Sequence, residues 1–273
     1  MNWTTVVDIP PADWHILPFE RMLFVGSCFA ENMGRRFLDD RFQAVVNPYG
    51  VMYNPASVFH SVERYLTEHP EPTDLPAVTV LTLGTNRIYR LRSTGRIVDN
   101  CEKRPAALFS EESLSVDQCT DCLRRTVRLL LDANPSMHIL LTVSPIRYRK
   151  YGYHGSQLSK STLLLAANNI VNEFPAVTYF PAYEIVLDEL RDYRFYATDM
   201  LHPSEQAADY IYSRLAETFF AQETRNFLRD WNPIKQALNH RPLNPDSPEY
   251  QQFLHDTRQR MAELLQQYHS PAF

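Results

Sequence analysis

Short apolar runs that stop at Gly, Ser or Pro alternate along this chain with longer stretches of helical period, the pattern of parallel strands joined by crossover helices. Met22 to Val25 reads as the first strand. Behind the turn at Gly26, Phe29, Met33 and Phe37 stand at helical spacing from Cys28 to Leu38. A second strand is expected over Val78 to Leu83, stopped by Gly84, and a third over Ile139 to Val143, stopped by Ser144-Pro145. The helix between them runs from Val116 to Asp132 and ends before Asn134-Pro135. Leu158 to Phe174 is expected to be helical, Val177 to Phe180 a further strand, and Pro203 to Phe220 a last helix with Pro203 in its first position.

Repeated strand, loop and helix in this order predict a doubly wound, three-layer α/β/α domain with a parallel sheet. In such a domain the active site lies outside the carboxyl ends of the strands. We place this domain at residues 1–220. Residues 221–273 are rich in Gln, Arg and helix formers around Pro242, Pro245 and Pro248, and form a C-terminal helical appendage. There is no internal repeat and no low-complexity tract.

Composition narrows the function. The 273 residues are 44% hydrophobic and 22% charged, enough for one substantial core. The net charge is −5, from 27 basic and 32 acidic residues, and the basic residues are scattered. Neither a nucleic acid nor an anionic membrane is an expected partner. The N-terminus lacks a basic start and is broken by Asp8, Pro10, Pro11 and Asp13, and no apolar run is long enough for a bilayer. A soluble, cytoplasmic protein is expected. Four cysteines are too few for a disulfide framework, and Cys119-Thr-Asp-Cys122 sits within an amphipathic helix, so we read it as helix packing. The histidines fall in no ligand spacing, so neither a metal nor another cofactor is expected.

Two segments carry candidate chemistry. Phe24-Val25-Gly26-Ser27-Cys28 presents a serine at the end of a buried strand and the start of a helix, where backbone N–H groups favour an oxyanion. By itself this segment fits a nucleophile and a plain helix N-cap equally well. Thr198-Asp199-Met200-Leu201-His202-Pro203 adds a carboxylate three residues before a histidine, able to fold back on Nδ1 and leave Nε2 for a hydroxyl. In the order Ser, Asp, His, the two segments predict a triad of Ser27, Asp199 and His202. Cys28 is the competing nucleophile. One residue further on a helix, it is expected to point about 100° away from Ser27 and to be a packed side chain. The segment is not a G-x-S-x-G elbow, because Ala30 stands beyond a Cys-Phe pair.

Gly26-Ser27-Cys28-Phe29-Ala30 spells the signature of the GSCFA family, and the chain resembles that branch of the SGNH (GDSL-like) hydrolases over most of residues 20–220. Asn47-Pro48-Tyr49-Gly50, Asn54-Pro55, Thr82-Leu83-Gly84-Thr85, Asn100-Cys101, Thr142-Val143-Ser144-Pro145 and Asp199-x-x-His202-Pro203-Ser204 extend the resemblance. It implies a flavodoxin-like sheet, metal-independent esterase or acetyl-transfer chemistry, Ser27 as nucleophile, His202 as base and Asp199 as its orienter. It also implies an oxyanion hole of the Ser27 N–H, a glycine N–H matching Gly50, and an asparagine amide. Asn86 in Gly84-Thr85-Asn86 ranks ahead of its rivals Asn54 and Asn100. Glu102 departs from the family pattern, which often has a histidine after Asn-Cys.

Arg147, in the charged run after the Ile139 strand, is a candidate for holding an anionic or sugar-like substrate, and a solvated loop fits it equally. The expected function is therefore a serine-dependent esterase or acyl or acetyl transferase. Its substrate would be a small-molecule or carbohydrate ester, O-acetylated sugars included. A non-catalytic binding or scaffold module on the same fold is the competing reading.

Overall fold

The computed structural model describes residues 5–269. Residues 1–4 and 270–273, the ends of the two outer segments read above, lie outside the described residues. In chain order the elements are β1 (Arg21–Gly26), α1 (Cys28–Asp39), β2 (Gln43–Val46), α2 (Pro55–Glu68), β3 (Val78–Leu83), β4 (Arg87–Leu91), β5 (Ile97–Val98) and β6 (Phe109–Ser113). There follow α3 (Val116–Ala133), β7 (His138–Val143), α4 (Gly152–Glu173), β8 (Val177–Tyr179) and the short α5 (Ala182–Glu184), which runs into a π turn over Ile185–Glu189. The chain closes with α6 (Glu205–Phe219), α7 (Gln222–Leu238) and α8 (Pro248–His269).

Five parallel strands form the main sheet in the order β2-β1-β3-β7-β8, the flavodoxin-like winding. Successive strand residues feed opposite faces, as the pleat requires. Leu23, Val25, Leu81, Leu83, Ile139 and Leu141 join the core beneath α2, α3 and α4, whereas Met22, Phe24, Val78, Val80 and Leu140 join the core beneath α1 and α6. Both faces are covered, which is why the strands read as continuous apolar runs. Each fully buried Leu, Ile, Val or Phe contributes about 1.5–3 kcal/mol to holding the layers together.

Winding reverses between β1 and β3, so the crevice outside their carboxyl ends is where this class of fold binds ligands. β1 delivers Gly26, Ser27 and Cys28 there, and β3 delivers Thr82 to Asn86. Pro203 is not the first helical residue: it pairs with Tyr196 in an isolated antiparallel bridge, and α6 starts at Glu205 behind the cap Ser204, whose Oγ accepts from the Ala207 N–H at 3.2 Å. The loop carrying Asp199 and His202 is thereby held outside the helix.

The three-stranded antiparallel sheet β5-β4-β6 is inserted between β3 and α3 and stands beside that crevice. At the other end of the chain, Phe227, Trp231 and Ile234 of α7 pack with Leu264 of α8 as a separate cluster. Trp231 Nε1 donates to the Asp39 carbonyl at 3.0 Å, and the Lys235 ammonium donates to Asp40 at 2.7 Å, tying α7 to the end of α1. Cys119 and Cys122 are free thiols on α3, and burial pushes Cys119 up to about 12. No helix of the described residues is long and apolar enough to cross a membrane.

Candidate active site

Gly26 ends β1 at φ +146°, a conformation that side chains rarely adopt. A Cβ here would fall on the carbonyl oxygen and hydroxyl of Thr82 across the strand pair. The Gly26 N–H donates to Asn47 Oδ1 at 2.9 Å, and its carbonyl accepts from Met52 N at 2.8 Å. Gly26→Ala is therefore expected to cost about 2–3 kcal/mol through backbone strain and overpacking, read as a lower urea midpoint.

Ser27 is extended, at φ −66° and ψ 176°, and caps α1. Its N–H donates to Thr82, at 3.2 Å to the carbonyl and 3.0 Å to Oγ1, and its own Oγ lies 3.1 Å from Thr82 Oγ1 and accepts from the Phe29 N–H at 3.3 Å. The residue has no solvent exposure. The hydroxyl is thus turned down into the β1–β3 seam.

Cys28, the first residue of α1, stands opposite the base instead. Its Sγ is 3.6 Å from His202 Nε2. Behind the ring, Asp199 Oδ2 accepts from Nδ1 at 2.6 Å, while Asp199 Oδ1 accepts from the backbone N–H groups of Leu201, at 2.8 Å, and His202, at 3.0 Å. Those two N–H bonds, with the Nδ1 bond after them, hold the Asp199 carboxyl down at about 2. A carboxylate ionised throughout the neutral range fixes the proton on Nδ1 and leaves the Nε2 lone pair towards the thiol. The expectation that Cys28, about 100° round from Ser27, is only a packed side chain counted Ser27 as part of the helix, whereas the helical rotation begins at Cys28 and its Sγ stands beside His202.

Burial pushes the Cys28 thiol up, against the lowering effect of its own backbone N–H and of the Tyr53 hydroxyl. Tyr53 is itself raised, first by burial and then by the nearby thiol, so it stays protonated as a donor. Below them lies Lys160 of α4, which is 2% exposed. Its ammonium donates to the carbonyls of Gly84 at 2.7 Å and Ser144 at 2.6 Å, pinning the ends of β3 and β7.

The other expected site residues are placed differently. Gly50 is exposed and its N–H closes a turn onto the Asn47 carbonyl at 2.8 Å, so it is spent locally rather than offered to an oxyanion. Asn86 is buried, its Nδ2 donating to the Leu114 carbonyl at 2.7 Å and its N–H to Ser159 Oγ at 3.0 Å, so it fastens the start of β4 to α4 and to the residue before the α3 cap. Asn54 caps α2 through Ser57 N at 2.9 Å, and Asn100 accepts from Glu102 N at 2.8 Å. Both of these also line a cavity of about 460 Å³ that reaches Tyr53 and Tyr148.

Arg147 lines a second cavity, of about 300 Å³, with Lys160, Tyr153, Tyr183 and Tyr196. Its guanidinium lies over the Tyr153 ring at 4.3 Å and donates to the Met200 carbonyl at 3.1 Å, and its backbone N–H donates to the Leu201 carbonyl at 3.0 Å. It holds the loop that presents His202 as well as bordering the cavity. No group of three His, Cys, Asp or Glu among the described residues is arranged for a metal ion.

Reading the sequence missed Tyr53, Thr82 and Lys160. Lys160 had a signal, since it falls on the stripe Ser156, Leu163, Ala167, Ile170 that α4 buries. A charge on a buried stripe needs a partner or a purpose.

Several solved structures are similar to this chain at low identity. A member of the lipolytic G-D-S-L family from Veillonella parvula is 12% identical, with a TM-score of 0.49 over 75% of this chain and 98% of the other. A GDSL-like lipase from Bacteroides thetaiotaomicron is 13% identical, with a TM-score of 0.47 over 72% and 86%. A family 3 carbohydrate esterase from Clostridium thermocellum is 12% identical, with a TM-score of 0.43 over 81% and 99%. No curated protein matches. The profile of the GSCFA family matches residues 21–77 and 71–215, and that of the GSCFA domain protein C-terminal domain matches residues 231–271. With most of its length accounted for in this way, including the Gly26-to-Ala30 segment that bears the candidate nucleophile, the chain belongs to the GSCFA family.

Proposed function

We propose that this protein is an acyl-transfer enzyme that cleaves an ester of a small molecule, with Cys28 as nucleophile, His202 as base and Asp199 as the residue that orients His202. The observation that carries the reading is the chain of contacts from Cys28 Sγ through the His202 ring to the Asp199 carboxylate, 3.6 Å and 2.6 Å. Nucleophile, base and orienter in hydrogen-bond sequence are the arrangement that nucleophilic catalysis requires, with looseness at the first contact usual in the absence of substrate.

Burial keeps the thiol protonated at rest, so the base has to remove the proton as attack occurs. His202 Nε2 takes the proton while Sγ bonds to the carbonyl carbon. The resulting oxyanion is met by the Cys28 N–H at the start of α1 and by the Tyr53 hydroxyl, both close to the sulfur. The C–O bond then breaks, the imidazolium returns its proton to the leaving alcohol, and a thioester on Cys28 remains. Water or an acceptor hydroxyl, deprotonated in turn by His202, attacks that thioester and releases the thiol.

Incubation with p-nitrophenyl acetate should release nitrophenolate and leave one acetyl group on the peptide containing Cys28, found by mass spectrometry after acid quench. Asp199→Asn should lower kcat/KM by roughly 10²- to 10⁴-fold by removing the carboxylate that selects the tautomer. An unmodified protein, or an acetyl group located on Ser27, would overturn the reading. The resting protonation makes a further expectation. The rate of Cys28 alkylation by iodoacetamide should climb with pH and reach no plateau below about 8.5, the ordinary cysteine value, because burial shifts this thiol upward.

A further inference from the structure

The 460 Å³ cavity beside Tyr53 is walled on one side by the loop Val51–Asn54 and on the other by the small antiparallel sheet, through Arg87, Tyr89 and Val98. Its charged side chains are not equally satisfied. Lys150 donates to Glu111 at 2.8 Å, and Asp99 accepts from His60 Nδ1 at 2.9 Å. Arg87 is different. Among the described residues its guanidinium makes no hydrogen bond and no ion pair, Nε is shut off from water without a partner, the Tyr151 ring lies 4.8 Å away, and the carboxylate that feels its charge, Glu111, is already bonded by Lys150. On the same wall the Tyr148 hydroxyl is also buried without a partner.

A guanidinium on an aromatic face whose Nε is buried without a partner is a costly arrangement unless something occupies the space in front of it. Its planar fork matches a carboxylate, which it can bind through two parallel N–H bonds. The cavity adjoins the reaction centre, because Tyr53 both lines it and approaches the Cys28 sulfur. A substrate whose carbonyl meets Cys28 can therefore extend past Tyr53 towards Arg87.

We propose that this cavity takes a carboxylate carried by the substrate, with Arg87 as its counter-ion, so that the enzyme acts on acyl groups or alcohols bearing a free acid. The inference rests on the acyl-transfer reading for its catalytic arm, and on binding alone for its second arm. With Glu111 held by Lys150 and Asp99 by His60, Arg87 is the cation left to select for charge, with the Tyr151 ring 4.8 Å from its guanidinium.

The catalytic arm compares mono-p-nitrophenyl succinate, glutarate and adipate with the methyl esters of the same compounds, which keep the length and lose the charge. In the wild type at least one free acid should exceed its methyl ester in kcat/KM by roughly 10- to 100-fold, the value of a charge-assisted contact, and Arg87→Met should abolish that ratio. The binding arm is independent of turnover: calorimetry should show glutarate bound by the wild type, glutaramide not bound, and glutarate affinity reduced by a similar factor in Arg87→Met, with Arg87→Lys between them. Hydrolysis with no preference for the acids, a preference that survives in Arg87→Met, or an equal preference for a neutral acetylated sugar would overturn the inference and leave the acyl-transfer reading standing. Absence of any hydrolysis with Arg87-dependent glutarate binding would support the inference and count against the reaction instead.

Discussion

Cys28→Ala is expected to lower kcat/KM for p-nitrophenyl acetate at least about 10³-fold, whereas Ser27→Ala is expected to leave an active, less stable enzyme. The two residues are adjacent, but the chain gives them different surroundings. Ser27 Oγ is buried against Thr82 and caps α1, so its loss removes an N-cap worth about 1–2 kcal/mol and leaves the Thr82 hydroxyl short of a partner. Cys28 Sγ faces an oriented imidazole. Cys28→Ser supplies the graded control: an oxygen in the same place, too basic to ionise as readily, should fall between wild type and Cys28→Ala. Steady-state rates on the three variants, with urea unfolding on each, separate the roles. Equal collapse of Ser27→Ala and Cys28→Ala at unchanged stability would sink the assignment of the sulfur.

The layered fold was legible because its three six-residue strands cross a core covered on both sides, which forces continuous apolar runs such as Val78–Leu83 and His138–Val143. β2 escaped notice because it is a four-residue edge strand, Gln43–Val46, and β4 to β6 because their faces are half wet: Phe109–Ser113 reads FSEES. Asp199 and His202 could be found because their contact is local, three residues apart, and needs only a turn. The partner of His202 could not be settled in the same way. The choice between Ser27 and Cys28 depends on where helical dihedrals begin, and that is set by Thr82, 55 residues away, which draws the serine down. Gly50 and Asn86 raise a related point: motif spacing says that a donor is present, whereas only the fold says which acceptor it already serves, the Asn47 carbonyl for the Gly50 N–H and the Leu114 carbonyl for the Asn86 amide.

Lys160 should make the stability of the protein rise with pH across the neutral range. Its ammonium is buried with carbonyl partners and, among the described residues, no ion pair, and burial lowers it to about 7, against a smaller raising effect from Cys28. In the unfolded chain a lysine titrates near 10.4. Below about pH 7 both states hold the proton and stability does not depend on it. Between about 7 and 10.4 the unfolded chain holds a proton that the folded chain has released, so unfolding becomes harder as pH increases, by about 4 kcal/mol over the whole interval. Above about 8.5 the cysteines of the unfolded chain begin to ionise while burial keeps Cys28 and Cys119 protonated in the fold, and this acts in the opposite direction. Between about pH 7 and 8.5 the lysine contributes a gain of about 1.5 kcal/mol, while His60, raised by its bond to Asp99, acts in the opposite direction as it loses its proton, so the lysine's share is read as the difference between wild type and Lys160→Met. Urea unfolding across that window should show a slope more positive in the wild type than in Lys160→Met by that amount; an identical slope in both would mean that this ammonium keeps its proton in the fold. Because the charge on Lys160 and the charge on Cys28 attract, formation of the thiolate should favour the protonated lysine, so the same variant should also slow Cys28 alkylation near pH 7.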